Sequence, residues 1–590
     1  MAKEGTSTAG YDGVAEEREM SYAHTGSGKK LLWHTVGEML RETTAKYSEN
    51  DALVAVWRGE RYSYRRFYEV CCQVAKSFMK LGIAKGDRIA IWATNYPEWL
   101  ITQFATAMIG AILVPTSPAF REHELEYILK DSESQTLVLI SGFKTSDYPA
   151  MFYNICPEAK RANPGEIKSK KFPYLRNVIL LSEDAQPGML TWKKLLEFGG
   201  EVSNRELEER TASLDPEDIM SIQYTSGTTG FPKGVLLTHH NIVNNGFFGG
   251  ENLKFTSSDR LCNPLPLYHC FGMVLGSILC ITHGATMIIP AEYFDPLSTL
   301  KAVEQERCTA IHGVPTMFIA ALEHPEFKRF DFSSLRTGIM GGAPCPVEVI
   351  KKVVDLMGVH EMVIGYGLTE CSPLTTQTNI DDPSGLWMET IGPPSLHTEI
   401  KIVDPATGKV VPVGIQGELC CRGYLVMQGY HNKPRETAET IDERGWLHTG
   451  DLATMDENGY CRITGRIKDM IIRGGENISP LEIEEFLHTH PMVKDVYVFG
   501  VPDKKYSEEI AAWIQLKKNG STTPKEIHEF CVGKIAHQKT PKYIKLVESY
   551  PMTASGKIQK FKMREIATKE LGLEEERTEV QLGLKNDSES

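Results

Sequence analysis

No CxxC pair and no metal-ligand spacing occurs among the 13 cysteines of this 590-residue sequence, and Cys71-Cys72 and Cys420-Cys421 are neighbours that could not close ordinary loops. Free thiols in a reducing compartment fit this pattern best. Basic charge is also short: 77 acidic residues against 64 Lys and Arg leave a net charge of −13. That argues against a general nucleic-acid binder, so any phosphate ligand must be met by local groups. An unbroken membrane-length apolar run is missing too. The longest candidate, "FGMVLGSILCITHGATMIIP" from Phe271 to Pro290, is interrupted by Thr282, His283 and Gly284 and reads as a buried helix running into a strand. The N-terminus holds Glu4, Asp12, Glu16, Glu17 and Glu19 against Lys3 and Arg18, unlike a transit or secretory segment, and reads as a disordered lead. The final "DSES" matches no common retention signal.

What is present is an α/β pattern. With 41% hydrophobic and 24% charged residues the chain has ordinary globular composition. Its length exceeds the roughly 250–300 residues at which one core stops growing, so several subdomains are expected. Thr35 and Glu38 form a capping box ahead of the first helix. The runs "ALVAVW" (Ala52 to Trp57), "RIAIWA", "TLVLI" and "NVILL" read as strands of helix-covered sheets. Near Lys468 the pattern changes to a small α+β module. Its two helices each open with a cap, a proline and a third-position glutamate, Ser479-Pro480-Leu481-Glu482 and Thr523-Pro524-Lys525-Glu526. The expected organisation is a disordered lead over 1–30, a large domain over 31–467, a small mobile domain over 468–570 and a frayed acidic tail over 571–590.

Between two strand-like runs lies "YTSGTTGFPKG", Tyr224 to Gly234. A Walker A loop needs lysine directly after glycine, and here Phe231 and Pro232 intervene, so the ordinary P-loop is excluded. "TGSGKK" (Thr25 to Lys30) has Ala23 where the first glycine of that loop belongs and Lys30 where the hydroxyl belongs, and reads as a linker. "IMSIQY" before the loop and "GVLLTHHNIVNN" after it predict a hairpin, with Thr238 capping the next helix. Held on two strands, the loop's hydroxyls and N–H groups can wrap a polyphosphate, each charge-assisted hydrogen bond contributing roughly 1.5–3 kcal/mol.

"YTSGTTGFPKGVLLTHHN" resembles the AMP-binding signature of the acyl-adenylate-forming superfamily, which includes acyl-CoA synthetases, luciferases and peptide-synthetase adenylation domains. The resemblance runs in order through "GGAPCP" (Gly341 to Pro346), "YGLTE" (Tyr366 to Glu370), "GELCCRG" (Gly417 to Gly423), "GWLHTGD" (Gly445 to Asp451), "GRIKDMIIRGGENISP" (Gly465 to Pro480) and "PMTASGKIQK" (Pro551 to Lys560). It covers nearly the whole chain from about Leu31 to Glu565. Through "LPLYHCFG", "KDMIIRGGENI" and "SGKIQKFKMRE" it is most similar to the medium-chain acyl-CoA synthetases of mitochondria. That implies a mitochondrial matrix protein, although the acidic N-terminus suits a cytoplasmic alternative.

The chemistry implied by the resemblance is a two-step activation. A carboxylate attacks the α-phosphate of ATP, releasing pyrophosphate, and the thiol of coenzyme A then displaces AMP, with magnesium as the cofactor. No catalytic cysteine is expected, since positioning and charge neutralisation carry the first step. The resemblance assigns Thr225, Ser226, Gly227, Thr228, Thr229, Gly230, Phe231, Pro232 and Lys233 to the ATP phosphates. Tyr366 lies on one side of adenine and Gly341, Gly342 and Ala343 on the other. Thr369 contacts phosphate, and Glu370 holds magnesium, for which a hard carboxylate oxygen is apt. Asp451 accepts from the ribose hydroxyls and Arg466 donates to the same sugar region. Lys557 is the catalytic cation, and Lys468 is the hinge about which the small domain turns between half-reactions. Gly474, Gly475, Glu476 and Asn477 face the pantetheine, and His269 lies along the acyl pocket. "LYHCFG" contains no acid, which suits an uncharged acyl tail better than an α-amino acid. The partners implied are a fatty acid, ATP and coenzyme A, with no nucleic acid and no membrane span; oligomeric state is left open. Two other readings stay open: a luciferase-like or carrier-loading adenylating enzyme, and a catalytically silent nucleotide or CoA sensor.

Overall fold

The computed structural model describes residues 19–26, 28–225, 232–473, 476–518, 520–552 and 558–573. Two eight-stranded sheets form the large N-terminal part. In the first, Leu190–Thr191, Asn177–Leu180, Thr136–Leu139, Arg88–Trp92, Ile112–Thr116 and Ile219–Thr225 run parallel; Lys233–Thr238 pairs antiparallel with the last of these, and Gly429–Tyr430 pairs antiparallel with Lys233–Thr238 to complete the edge. In the second, Glu361–Gly367, Thr337–Gly341, Ala310–Ile311, Arg260–Cys262, Thr286–Ile289 and Asp51–Ala55 are parallel, flanked by antiparallel Leu374–Gln377 and Glu60–Ser63. Parallel strands covered on both faces are apolar nearly throughout: Thr136–Leu139 is wholly buried, and its one polar side chain, Thr136, accepts a hydrogen bond from Asn177 at 3.1 Å. The helix Pro97–Ile109 buries every residue except Glu98, and that carboxylate accepts two hydrogen bonds from Arg58.

The predicted capping box of the first helix is present, with Thr35 capping Val36–Tyr47 and Glu38 answering it. "ALVAVW" needs correction at its end. The strand stops at Ala55, and Val56–Arg58 form a 3-10 turn. Gly59, at φ +67°, closes that turn with its N–H on the Val56 carbonyl, so the chain reverses into Glu60–Ser63. The long apolar run is helical and leads into the strand Thr286–Ile289 as expected, but it is wound as a π-helix over Phe271–Ile278 before the α-turn Leu279–His283.

A third, antiparallel sheet orders Tyr22–Thr25, Thr398–Val403, Gly417–Gly423, Leu447–Met455 and Cys461–Arg466. Its first strand corrects the expectation of a disordered lead up to residue 30. Ala23 is buried in the sheet, and the Ser21 hydroxyl donates to the Pro412 carbonyl at 2.9 Å. A 3-10 turn, Ile467–Asp469, then leads into the small C-terminal part. Its sheet orders Glu476–Ile478, Ile471–Arg473, Ser507–Leu516 and Val493–Asp503, and Tyr543–Leu546 pairs parallel with Ser507–Leu516. The helix Pro524–Cys531 has its Thr523–Glu526 capping box, whereas Pro480–His488 does not have the one expected. Ser479 instead donates to the Thr464 carbonyl at 2.5 Å, and Glu482 pairs with Lys539. A tertiary acceptor has displaced the local one.

Candidate active site

The hairpin is built as its sequence predicts: Ile219–Thr225 and Lys233–Thr238 pair antiparallel with Thr225 opposite Lys233. Thr238 caps the helix His239–Asn252. Residues 226–231, which carry Ser226, Gly227, Thr228, Thr229, Gly230 and Phe231, lie outside the described residues. The feet of the loop are tied down. Tyr224 donates to Asp131 at 2.6 Å, and Tyr127 donates to the carbonyl of Pro232 at 3.0 Å. Burial, together with that carboxylate, raises the Tyr224 hydroxyl well above its ordinary pKa, so it stays a donor.

The strands Thr337–Gly341 and Glu361–Gly367 end side by side, with Gly341 opposite Gly365. A side chain at Gly341 would meet the Gly365 carbonyl oxygen at 2.4 Å, and Gly342 turns the chain at φ +79°. Gly342 and Ala343 are exposed beyond the strand end. Glycine is required here because two backbones meet and then diverge.

Tyr366, on the adjoining strand, donates to Asp451 Oδ2 at 2.7 Å, and Arg466 Nε donates to Asp451 Oδ1 at 2.7 Å. The register Asp451 opposite Arg466 makes the second contact a cross-strand pair. The Asp451 side chain keeps 4% of its surface and Arg466 35%. Burial lifts the Tyr366 hydroxyl far above its normal range, and the Asp451 charge adds to it. Asp451 also anchors its own turn, its N–H donating to the Thr449 hydroxyl at 3.1 Å.

Glu370 sits in the 3-10 turn Thr369–Cys371. Its Oε1 accepts from the Tyr430 hydroxyl at 2.9 Å, and the Tyr430 ring carries the Lys233 ammonium 4.7 Å from its centroid. Tyr430 therefore links the hairpin lysine to the predicted metal-holding carboxylate. The Thr369 hydroxyl lies 3.4 Å from the Cys270 thiol, next to His269. His269 is exposed, and its Nδ1 accepts from the Phe271 N–H at 3.2 Å. Burial pushes the Cys270 thiol up to about 12, which leaves it protonated and unsuited to act as a nucleophile. Lys468 reaches solvent, yet the protein packed about it lowers its pKa; Arg466 lowers it further, while Asp469, Asp451 and Glu370 oppose. The hinge candidate thus shares the field of the two site carboxylates.

Thr225, Pro232, Lys233, Gly341, Tyr366, Thr369, Glu370, Asp451, Arg466 and Lys468 are accordingly brought to one region. Gly474, Gly475 and Lys557 lie outside the described residues, and so do the side chains of Glu476 and Asn477 in the strand Glu476–Ile478. Three contributors escaped the sequence reading. Tyr430 bonds Glu370, Met427 donates its N–H to the Glu370 carbonyl at 2.9 Å, and Glu418 accepts from the Gly450 N–H at 3.0 Å. Glu418 stood within a quoted motif and could have been weighed as the support of the Asp451 turn.

A carboxylate and a guanidinium thus stand together where strands of three sheets meet, with the feet of the hairpin beside them. The chain belongs to the AMP-binding enzyme family: the family model matches residues 40–431, and that of the AMP-binding enzyme C-terminal domain matches residues 482–557. It is 51% identical over 536 residues, 91% of this chain and 97% of the other, to YngI of Bacillus subtilis (strain 168), a protein named as a putative acyl-CoA synthetase. It is 44% identical over 555 residues to a mitochondrial medium-chain acyl-CoA ligase of Danio rerio, covering 94% of this chain and 91% of that protein. Among solved structures, ATP-bound MatB from Rhodopseudomonas palustris superposes with a TM-score of 0.78 at 27% identity, covering 91% of this chain and 99% of that one. Its class is that of the AMP-forming acyl-CoA synthetases, which use ATP and coenzyme A.

Proposed function

We propose that this chain is an ATP-dependent medium-chain fatty acid–CoA ligase working through an acyl-adenylate. The observation that carries the reading is the Tyr366–Asp451–Arg466 cluster set beside Glu370, Tyr430 and the feet of the hydroxyl-rich hairpin. Asp451 spends one acceptor site on Tyr366 and one on Arg466. A carboxylate offers about four, so two remain for the ribose hydroxyls. Tyr366 is fixed by that bond and presents its ring to adenine, whose other face meets the backbone of Gly341 to Ala343. Lys233 and the hairpin groups neutralise the phosphates, and Thr369 donates at the α-phosphate.

Glu370 suits magnesium. It is a hard, half-buried carboxylate oriented by Tyr430 through Oε1, and its second oxygen takes no hydrogen bond from a described residue. Bound there, the ion would supply charge neutralisation on the phosphates. Lys557 would stabilise charge developing as the fatty carboxylate attacks. A turn about Lys468 would then replace it with the 474–477 segment for thioester formation, leaving Asp451 and Arg466 to hold AMP as leaving group. His269, exposed just ahead of the buried run Phe271–Ile278, would lie along the acyl pocket. The medium chain length and a mitochondrial location follow the Danio rerio relative by similarity.

AMP and pyrophosphate release with magnesium-ATP, coenzyme A and fatty acids from acetate to palmitate tests the reading. A maximum at medium chain length with matching acyl-CoA is expected. A maximum at acetate or palmitate would overturn the chain length, and AMP release without acyl-CoA would overturn the ligase. Glu370→Gln should raise the magnesium concentration for half-maximal rate by about 10–100-fold. An unchanged magnesium titration would remove Glu370 from the site.

A further inference from the structure

The strands Gly417–Gly423 and Leu447–Met455 bring together three metal-ligating side chains, of which only Glu418 also touches the nucleotide site, through the Gly450 turn. Glu418 and Cys420 are two residues apart on one strand and leave the same face of the sheet. The register sets His448 directly opposite Cys420, and a register shift between Glu418 and Cys420 crowds the group. His448 Nδ1 lies 2.8 Å from Glu418 Oε2 and 3.4 Å from Cys420 Sγ, and the three ligand atoms all lie within 4.8 Å of one another. Glu418 and Cys420 are buried, while the His448 side chain keeps 32% of its surface, which gives an entry path.

We propose that Glu418 Oε2, Cys420 Sγ and His448 Nδ1 form a binding site for a borderline-soft divalent metal of the zinc class, with a fourth position open to solvent. Three observations carry it. The first is chemical: a thiol, an imidazole and a carboxylate together suit zinc, whereas magnesium and calcium take oxygen ligands. The second is metric. Tetrahedral zinc with its usual bond lengths sets N···S at about 3.5 Å and N···O at about 3.3 Å. The 3.4 Å contact already fits, and the 2.8 Å contact must open by about half an ångström. The third is rigidity, because all three side chains stand on paired strands and not on a loop.

Binding releases the Cys420 thiol proton, and any proton His448 shares with Glu418, to solvent; the sulfur and nitrogen then give their lone pairs to the ion. Other charges facing the group are mixed. Asp442 favours a cation, and Lys401, across the sheet from Cys420, opposes it with its ammonium 4.3 Å from the Trp446 ring centroid. Glu418 Oε1 keeps its bond from the Gly450 N–H, so the turn ahead of Asp451 survives occupancy.

The test is cobalt(II) titration of the full chain after chelator treatment and chelator removal. One equivalent should bind with a thiolate-to-cobalt charge-transfer band in the near ultraviolet that zinc abolishes and excess magnesium does not. Cys420→Ser should remove the band and weaken cobalt binding by about 10–100-fold, and His448→Gln should weaken it similarly. Circular dichroism should show both variants folded at the assay temperature, and Cys420→Ser should keep the metal-free adenylation rate. Cobalt binding without the band, a band that persists in Cys420→Ser, or no stoichiometric binding would each overturn the site.

Discussion

Replacing Lys557 with alanine is expected to slow acyl-adenylate formation by a factor on the order of 10²–10³, the usual cost of removing one group aimed at charge developing in a transition state. The same variant should convert supplied acyl-adenylate and coenzyme A to acyl-CoA at a rate close to wild type. Lys557 itself lies outside the described residues, but both feet of its loop are fixed. Met552 and Ile558 form a bridge, and the Gln559 N–H donates to the Pro551 carbonyl at 2.9 Å. Its neighbour Lys560 has a structural task, pairing with the buried Glu484 at 2.7 Å. Burial raises the Glu484 carboxyl, and Lys560 acts to lower it again. Lys560→Ala therefore serves as the contrast. It should lower the unfolding temperature of the small domain, whereas Lys557→Ala should not. Rapid-quench measurement of each half-reaction separates the outcomes, and equal loss of both in Lys557→Ala would sink the account in which the small domain turns about Lys468.

The parts of the site legible in the sequence are those where one residue type is demanded by backbone or charge. The hairpin announced itself through Gly227, Gly230 and Gly234 between two apolar runs, and Asp451 and Arg466 stood within motifs whose order fixed them. What stayed hidden depends on register. Nothing near Tyr430 says that its hydroxyl reaches Glu370, because a tyrosine in a short edge strand has many ordinary uses. The Cys420–His448 contact is likewise invisible to spacing rules, since its two members come from different strands. The failed cap at Ser479 and the ordered strand Tyr22–Thr25 share that cause: a partner remote in sequence outcompeted the local pattern.

Asp451→Asn should weaken ATP binding and reduce stability together, and the two effects can be pulled apart. The substitution keeps size and shape but exchanges a pure acceptor for a group with one acceptor and two donors. One oxygen can still accept from Tyr366 or from Arg466, but the amide nitrogen then faces the other donor. Each charge-assisted bond contributes about 1.5–3 kcal/mol. Arg466 is about one-third exposed, so water recovers part of its loss, and a net destabilisation of about 1–3 kcal/mol is expected. The ribose loses its acceptor as well, which should raise KM for ATP by about 10–100-fold at the same energy per lost bond. Arg466→Lys leaves Asp451 charged and should shift KM for ATP less than Asp451→Asn does. Thermal unfolding with and without ATP analogue, set beside KM for ATP, distinguishes the cases. If Asp451→Asn lowers stability while KM for ATP is unmoved, Asp451 is a fastener between two sheets and not a ribose acceptor. A raised KM with the fatty acid dependence unaltered would place it on the nucleotide side of the reaction.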